Sequence, residues 1–175
     1  MLKNQICLLL LGLLHIGGYA QQIKRVELGI DGLTCSQCMR SVEIALRKQP
    51  GVEAVRVDLQ ATTAYVETNE RLQLPLLKHA VEQAGFSVRS VALFFASPLS
   101  ITSCMKQGGG CLVWLQEEEN TAACQKVYVA GRTILSKRAY KQWARRHLLP
   151  AQACADCLSN VWYVSKAPYD ETAVK

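Results

Sequence analysis

No apolar stretch of this 175-residue chain is long enough to cross a bilayer as a helix. The longest, residues 6–18, stops at thirteen, against the roughly 20 that a span needs. Dense basic arms and cation stripes interleaved with aromatics are missing as well. Aromatics are only 7% of the chain and the net charge is a moderate +6, so no nucleic acid partner is expected. The sequence holds no Gly-x-Ser-x-Gly elbow, phosphate-binding glycine loop, zinc-peptidase helix or convincing nucleophile–base–acid set, and no enzymatic activity is expected. No cysteine stands directly after the apolar run, which argues against a lipoprotein-type anchor.

What is present is a globular composition, 50% hydrophobic and 19% charged, enough for one domain or two small ones. The N-terminus has the three-part layout of a secretory signal peptide: one cation at Lys3, the apolar run, then Gly18-Tyr19-Ala20 ending on a small residue. Residues 1–20 are therefore expected to be cleaved, and the mature chain to be periplasmic or secreted and not membrane-spanning. Cleavage takes Cys7 away and leaves seven of the eight cysteines. An odd number cannot all pair within one chain. At least one thiol in that oxidising space must then be free, metal-bound or joined to another molecule.

Along the mature chain, Val26, Leu28 and Ile30 alternate as on one face of a strand, which Asp31-Gly32 ends. From Cys38 the period becomes helical, with Val42, Ala45 and Leu46 on one side, Arg47 and Lys48 in the last turn and Pro50-Gly51 as the stop. Val55, Val57 and Leu59 mark a second strand, and ATTAYVET follows closely enough for an antiparallel hairpin. A second helix over 74–84 carries Leu77, Ala80, Val81 and Ala84, starts at Pro75 and stops at Gly85; FSVRSVALF is the last strand. This order predicts an α+β fold, a ferredoxin-like βαββαβ sandwich over 22–95 with both helices on one face of a four-stranded antiparallel sheet. ASPLSITS, broken by Pro98, reads as a linker over 96–103. Residues 104–175 are then expected to form a small cysteine-rich α+β region, with strands in CLVWL, in KVYVAGRTIL with a turn at Ala130-Gly131, and in VWYVS. Its helix, SKRAYKQWARRHL, puts Tyr140, Trp143, Ala144 and His147 on one face and Lys137, Lys141 and Arg145 on the other, a basic stripe suited to an acidic partner or an anionic membrane surface.

Cys35 and Cys38 stand where the first strand gives way to the first helix. Unpaired N–H groups and the positive end of the helix dipole favour a thiolate there. A Cys-x-x-Cys pair is by itself compatible with a metal claw, a redox dithiol or a structural disulfide. Two soft sulfurs on a flexible loop suit Cu(I) first and Hg(II) next, with Zn(II) behind them because structural zinc usually takes four ligands. Against a thioredoxin-like dithiol, no tryptophan or proline flanks the pair and the helix–strand–strand continuation is wrong. Export favours a plain bridge.

Further residues narrow the choice: Gly32-Leu33-Thr34-Cys35-Ser36-Gln37-Cys38, Val42-Glu43, Ala45-Leu46, Pro50-Gly51-Val52, Val57-Asp58-Leu59 and Ala84-Gly85-Phe86. With these anchors, the segment from Val26 to about Val91 resembles the heavy-metal-associated (HMA) domain, the module of copper chaperones, mercury-binding proteins and metal-pumping ATPases. The resemblance implies metal ligands at Cys35 and Cys38. It implies one soft ion captured and handed by thiolate exchange to a metal-transporting membrane protein or another metal carrier. From Thr34 it implies copper or mercury rather than zinc, and it places Phe86 near the metal sulfurs. Leu33 stands where the family usually has methionine, a hydrophobic prop whose volume leucine conserves. A thiol–disulfide oxidoreductase and a disulfide-stabilised adaptor remain the alternatives.

Cys104, Cys111, Cys124, Cys154 and Cys157 crowd a segment of about seventy residues, where disulfides are the usual support for a small core. The sequence does not decide the pairings; the geometrically simple choices are Cys104 with Cys111 around Gly108-Gly109-Gly110 and Cys154 with Cys157, leaving Cys124 over. A sharper reading makes Cys154 and Cys157 a second pair that receives the ion from Cys35 and Cys38 or keeps them reduced. Met105, His79 and His147 are weaker ligand candidates, for which packing or a surface position is the simpler reading.

Overall fold

The computed structural model describes residues 22–99, 104–114, 124–145, 157 and 160–166. β1 (Ile23–Asp31), α1 (Ser36–Arg47), β2 (Val52–Asp58), β3 (Thr63–Thr68), α2 (Leu74–Gln83) and β4 (Ser87–Leu99) follow in the expected order. Their strands lie in the order β2-β3-β1-β4, all pairs antiparallel, which is the ferredoxin-like arrangement. The alternation in β1 does its work through register: Val26 faces Leu93, Leu28 faces Val91 and Ile30 faces Val88. Against them pack Val42 and Leu46 of α1 and Leu77 and Val81 of α2, each such burial being worth roughly 1.5–3 kcal/mol. Gly51, at φ +80°, makes the turn after α1, and a Cβ there would run into the Leu72 backbone. Glu43 and Arg47 pair one turn apart on α1, and Arg47 also donates to the Val55 carbonyl of β2 at 2.9 Å.

The expected linker is not a linker where it is described. β4 runs on through Pro98 to Leu99. Its ladder with β1 ends at Phe95, and its ladder with β7 (Cys124–Ala130) is interrupted between Phe94 and Leu99. Pro98 therefore sits where no ladder bond needs its missing N–H. Beyond it, β5 (Cys104–Gln107), β6 (Gly110–Trp114), β7 and β8 (Val161–Ser165) extend the same sheet to eight strands, β2-β3-β1-β4-β7-β8-β6-β5. One hydrophobic cluster runs from Val55 and Leu46 to Val129 and Trp162.

β7 ends at Ala130, at the expected Ala130-Gly131 turn, but the chain does not resume as strand and stays in a turn that buries Ile134 and Leu135. A Cβ at Gly131 would strike the Trp162 ring, whose Nε1 donates to Thr133 Oγ1 at 2.8 Å. The chain then enters α3 (Lys137–Ala144), capped by Ser136 Oγ, which accepts from the Ala139 N–H at 3.2 Å. Ala139 and Trp143 turn inward, and Trp143 stacks on Tyr163 at 5.4 Å. His147 and the apolar N-terminal run lie outside the described residues.

Candidate metal centre

β1 delivers the chain to the site and α1 receives it. Gly32, at φ +87°, turns away from β1 with the Phe86 ring alongside: a Cβ on Gly32 would lie 3.6 Å from Phe86 Cδ1. Leu33 is only 3% exposed and belongs to the core, anchoring the loop from below. Thr34 and Cys35 are exposed and Cys38 is half-buried. Cys35 is the N-cap of α1, with extended backbone, and its Sγ accepts the Cys38 N–H at 3.1 Å. The Met39 N–H donates to the Cys35 carbonyl at 3.0 Å. No acidic side chain lies in the first turn of α1, so nothing there competes with sulfur for the free N–H groups or the dipole.

The two sulfurs are joined to each other as a disulfide, with Cα atoms 5.1 Å apart. The structure is thus the two-electron-oxidised form of the pair. Reduction adds two electrons and two protons and leaves two thiols facing one another at a helix N-terminus. Among the described residues no group of three or more His, Cys, Asp or Glu side chains gathers into a metal-sized cluster. Among the described residues the pair thus stands as a two-sulfur donor set, of the kind that suits a soft ion of low coordination number.

Arg89, which the sequence alone did not single out, holds the strand end that leads into the cysteine loop. Its Nη1 donates to the Ile30 carbonyl at 2.9 Å and approaches Asp31 Oδ1 at 3.5 Å, and its Nη2 reaches the Ala61 carbonyl at 3.4 Å. It ties the end of β1, just before the cysteine loop, to the β2–β3 turn. Only the β1–β4 register puts it there, and no local motif carries that information.

The C-terminal cysteines depart from expectation. Cys111 bonds Cys157, 46 residues away, and Cys104 is also in a disulfide. Cys104 faces Val113 and Cys111 faces Lys106 in the β5–β6 ladder. The two cysteines are thus diagonal neighbours, about 7–8 Å apart at Cα, beyond comfortable bridging distance. Parallel pairing of β6 with β8 sets Cys111 opposite Val161 and so brings the chain around Cys157 within reach. The Cys154–Cys157 pairing is thereby overturned; Cys154 itself lies outside the described residues.

Cys111 and Cys157 line a cleft of about 610 Å³ with Glu70, Gln73, Lys106 and Gln107. The adjoining turn at Gly108 faces Ile23 and Leu74, at the start of β1, whereas Cys35 follows its end. Nine residues of strand, roughly 30 Å, separate the two places, so direct exchange between the two cysteine pairs of one chain is not offered by this fold. His79 is exposed on α2 and Met105 packs against the core.

Fold and site together define a small ferredoxin-like module that presents two sulfurs on an exposed loop at the mouth of its first helix. The Heavy-metal-associated domain matches residues 27–87. The chain is 33% identical over 63 residues to the copper chaperone CopZ of Staphylococcus haemolyticus, a stretch that is 35% of this chain and 93% of that protein. It belongs to the heavy-metal-associated domain family. It is also 42% identical over 74 residues to the copper chaperone CopZ of Archaeoglobus fulgidus, 42% of this chain and 35% of that protein. A probable copper-exporting P-type ATPase of the same organism is 37% identical over 60 residues, 34% of this chain and 8% of that protein. The chain thus spans about a third of the one and under a tenth of the other.

Proposed function

We propose that this protein is an exported, non-catalytic carrier of Cu(I), held between Cys35 and Cys38 in their dithiol form. The observation that carries the reading is the pair itself, two sulfurs side by side on an exposed loop with helix N–H groups behind them. The copper-chaperone relatives support copper as the cargo, and soft sulfur chemistry favours it over Hg(II) and, more strongly, over Zn(II). Each thiol gives up its proton as Cu(I) binds. Incoming thiolates of a second carrier or of a metal-transporting membrane protein then add before the outgoing ones leave, so the ion is never bare. The copper-exporting ATPase relative supports a partner of the second kind.

Export and cleavage after Ala20 rest on Lys3, the apolar run and the small residue that follows. The Cys111–Cys157 bond suits an oxidising compartment.

Anaerobic Cu(I) titration of reduced residues 21–175 tests the reading. The parent should bind one tight equivalent that the Cys35→Ser/Cys38→Ser variant loses. Unchanged stoichiometry would move the site to the C-terminal cysteines and refute it. The oxidised state of the pair favours one second reading, a thiol–disulfide oxidoreductase. That alternative requires dithiol turnover and a trapped mixed disulfide in Cys38→Ser, neither of which a metal carrier shows.

A further inference from the structure

We propose that the cationic face of α3 docks the protein on anionic phospholipid headgroups. Residues 124–155 hold seven of the chain's 20 Lys and Arg and none of its 14 Asp and Glu. Within that stretch Arg132, Lys137, Arg138, Lys141 and Arg145 are all exposed. Among the described residues none of the five is in an ion pair. Lys137, Lys141 and Arg145 succeed one another at intervals of four, a row about 12 Å long on a helix rising 1.5 Å per residue. Ala139 and Trp143 occupy the opposite, buried side, so the row is turned to solvent.

The chemistry of this face selects the occupant. Stable protein–protein contacts are anchored by desolvated aromatic or aliphatic side chains near their centre. The only exposed large hydrophobic residue among those described is Ile44, on α1, and the outer face of α3 offers none. A headgroup layer needs no such anchor, because each Lys or Arg held at an anionic surface strengthens binding about fivefold on charge alone.

Placement gives the contact a consequence. The Ser136 N–H donates to the Val88 carbonyl at 2.8 Å, and Ser87 pairs with Asp31, four residues before Cys35. α3 therefore starts at the end of the sheet that carries the cysteine loop, and adsorption through it holds that loop close to the bilayer. The docking itself does not depend on what the cysteines bind.

The test uses residues 21–175, which contain every described element, sedimented with vesicles of equal parts phosphatidylglycerol and phosphatidylcholine or of phosphatidylcholine alone. The parent should bind the anionic vesicles only, and come off at about 0.5 M salt as screening shortens to a few ångström. Lys137→Gln/Lys141→Gln/Arg145→Gln, with its circular dichroism unchanged, should bind about 100-fold more weakly. Cys35→Ser/Cys38→Ser should bind like the parent, which keeps this result separate from the copper titration. Equal binding to both vesicle types, no binding to either, or a triple variant that binds like the parent would each overturn the proposal. So would binding of poly-glutamate without binding of vesicles, which assigns the face to an acidic polypeptide.

Discussion

Replacing both Cys111 and Cys157 by alanine cuts the bond that ties β6 to the chain just ahead of β8. The bond closes a loop of 46 residues, and the chain-entropy relation assigns a loop of that length about 4 kcal/mol of destabilisation in the unfolded state. Two effects modify that figure. Cys104 is in a disulfide of its own, which already restricts the unfolded chain and brings the loss nearer to about 2–3 kcal/mol. Cys111 is 3% exposed, so the alanine there leaves a small void that adds up to about 1 kcal/mol. With a urea slope of about 2 kcal/mol per molar, a net loss of about 3 kcal/mol lowers the midpoint by about 1.5 M. The assay is urea unfolding followed by tryptophan fluorescence, which the buried Trp143 and Trp162 report. A midpoint shift under about 0.3 M would refute the pairing on which this reasoning rests. The transition should remain single in the variant, because one core joins both halves. Two separate transitions would show instead that residues 22–95 fold apart from the later strands.

Three further outcomes follow from the same structure. Gentle reductant should open Cys35–Cys38 before Cys111–Cys157, since Cys35 is exposed and Cys111 is buried; alkylation and mass spectrometry read the order, and the reverse order would contradict it. Ser136→Ala removes the cap of α3 and should cost about 1 kcal/mol in urea unfolding, a neutral result showing that the cap does not form. Stability should fall above about pH 10. Burial and the neighbouring Tyr140 raise the Tyr163 pKa from its ordinary 10.0 against the opposing Arg132; burial pulls Lys126 down, but hydrogen bonds to Glu27 and Tyr128 and their charges together hold it above 10.5. A folded-state pKa above the unfolded one stabilises below the unfolded value and is lost as pH rises through the folded one. Tyr163→Phe should flatten that loss in alkaline thermal melts, and an unchanged slope would place its cause elsewhere.

Much of the N-terminal half was legible residue by residue. The alternation of Val26, Leu28 and Ile30, the spacing of Val42 and Leu46, and the stops at Gly51 and Gly85 are local signals, and each gave its element within a few residues of the observed ends. The place of Cys35 and Cys38 at the start of α1 was legible for the same reason. Reading failed where partners are distant. Pro98 suggested a break, yet β4 passes through it because the ladders to β1 and β7 both leave that position unbonded. The turn at Ala130-Gly131 was legible, but the return strand expected after it gives way to a turn that buries Ile134 and Leu135.

By itself, then, the amino-acid order determined the βαββαβ module, the cysteine loop at the first helix and the charge segregation of residues 124–155. Only the tertiary structure decided that four later strands extend the same sheet, that Cys111 seeks Cys157, that Arg89 holds the end of β1 to the β2–β3 turn, and that the two cysteine pairs lie at opposite ends of β1. Periodicity and capping act over a few residues of contiguous chain, whereas the choice of strand partner and of disulfide partner depends on which distant segments can be buried together.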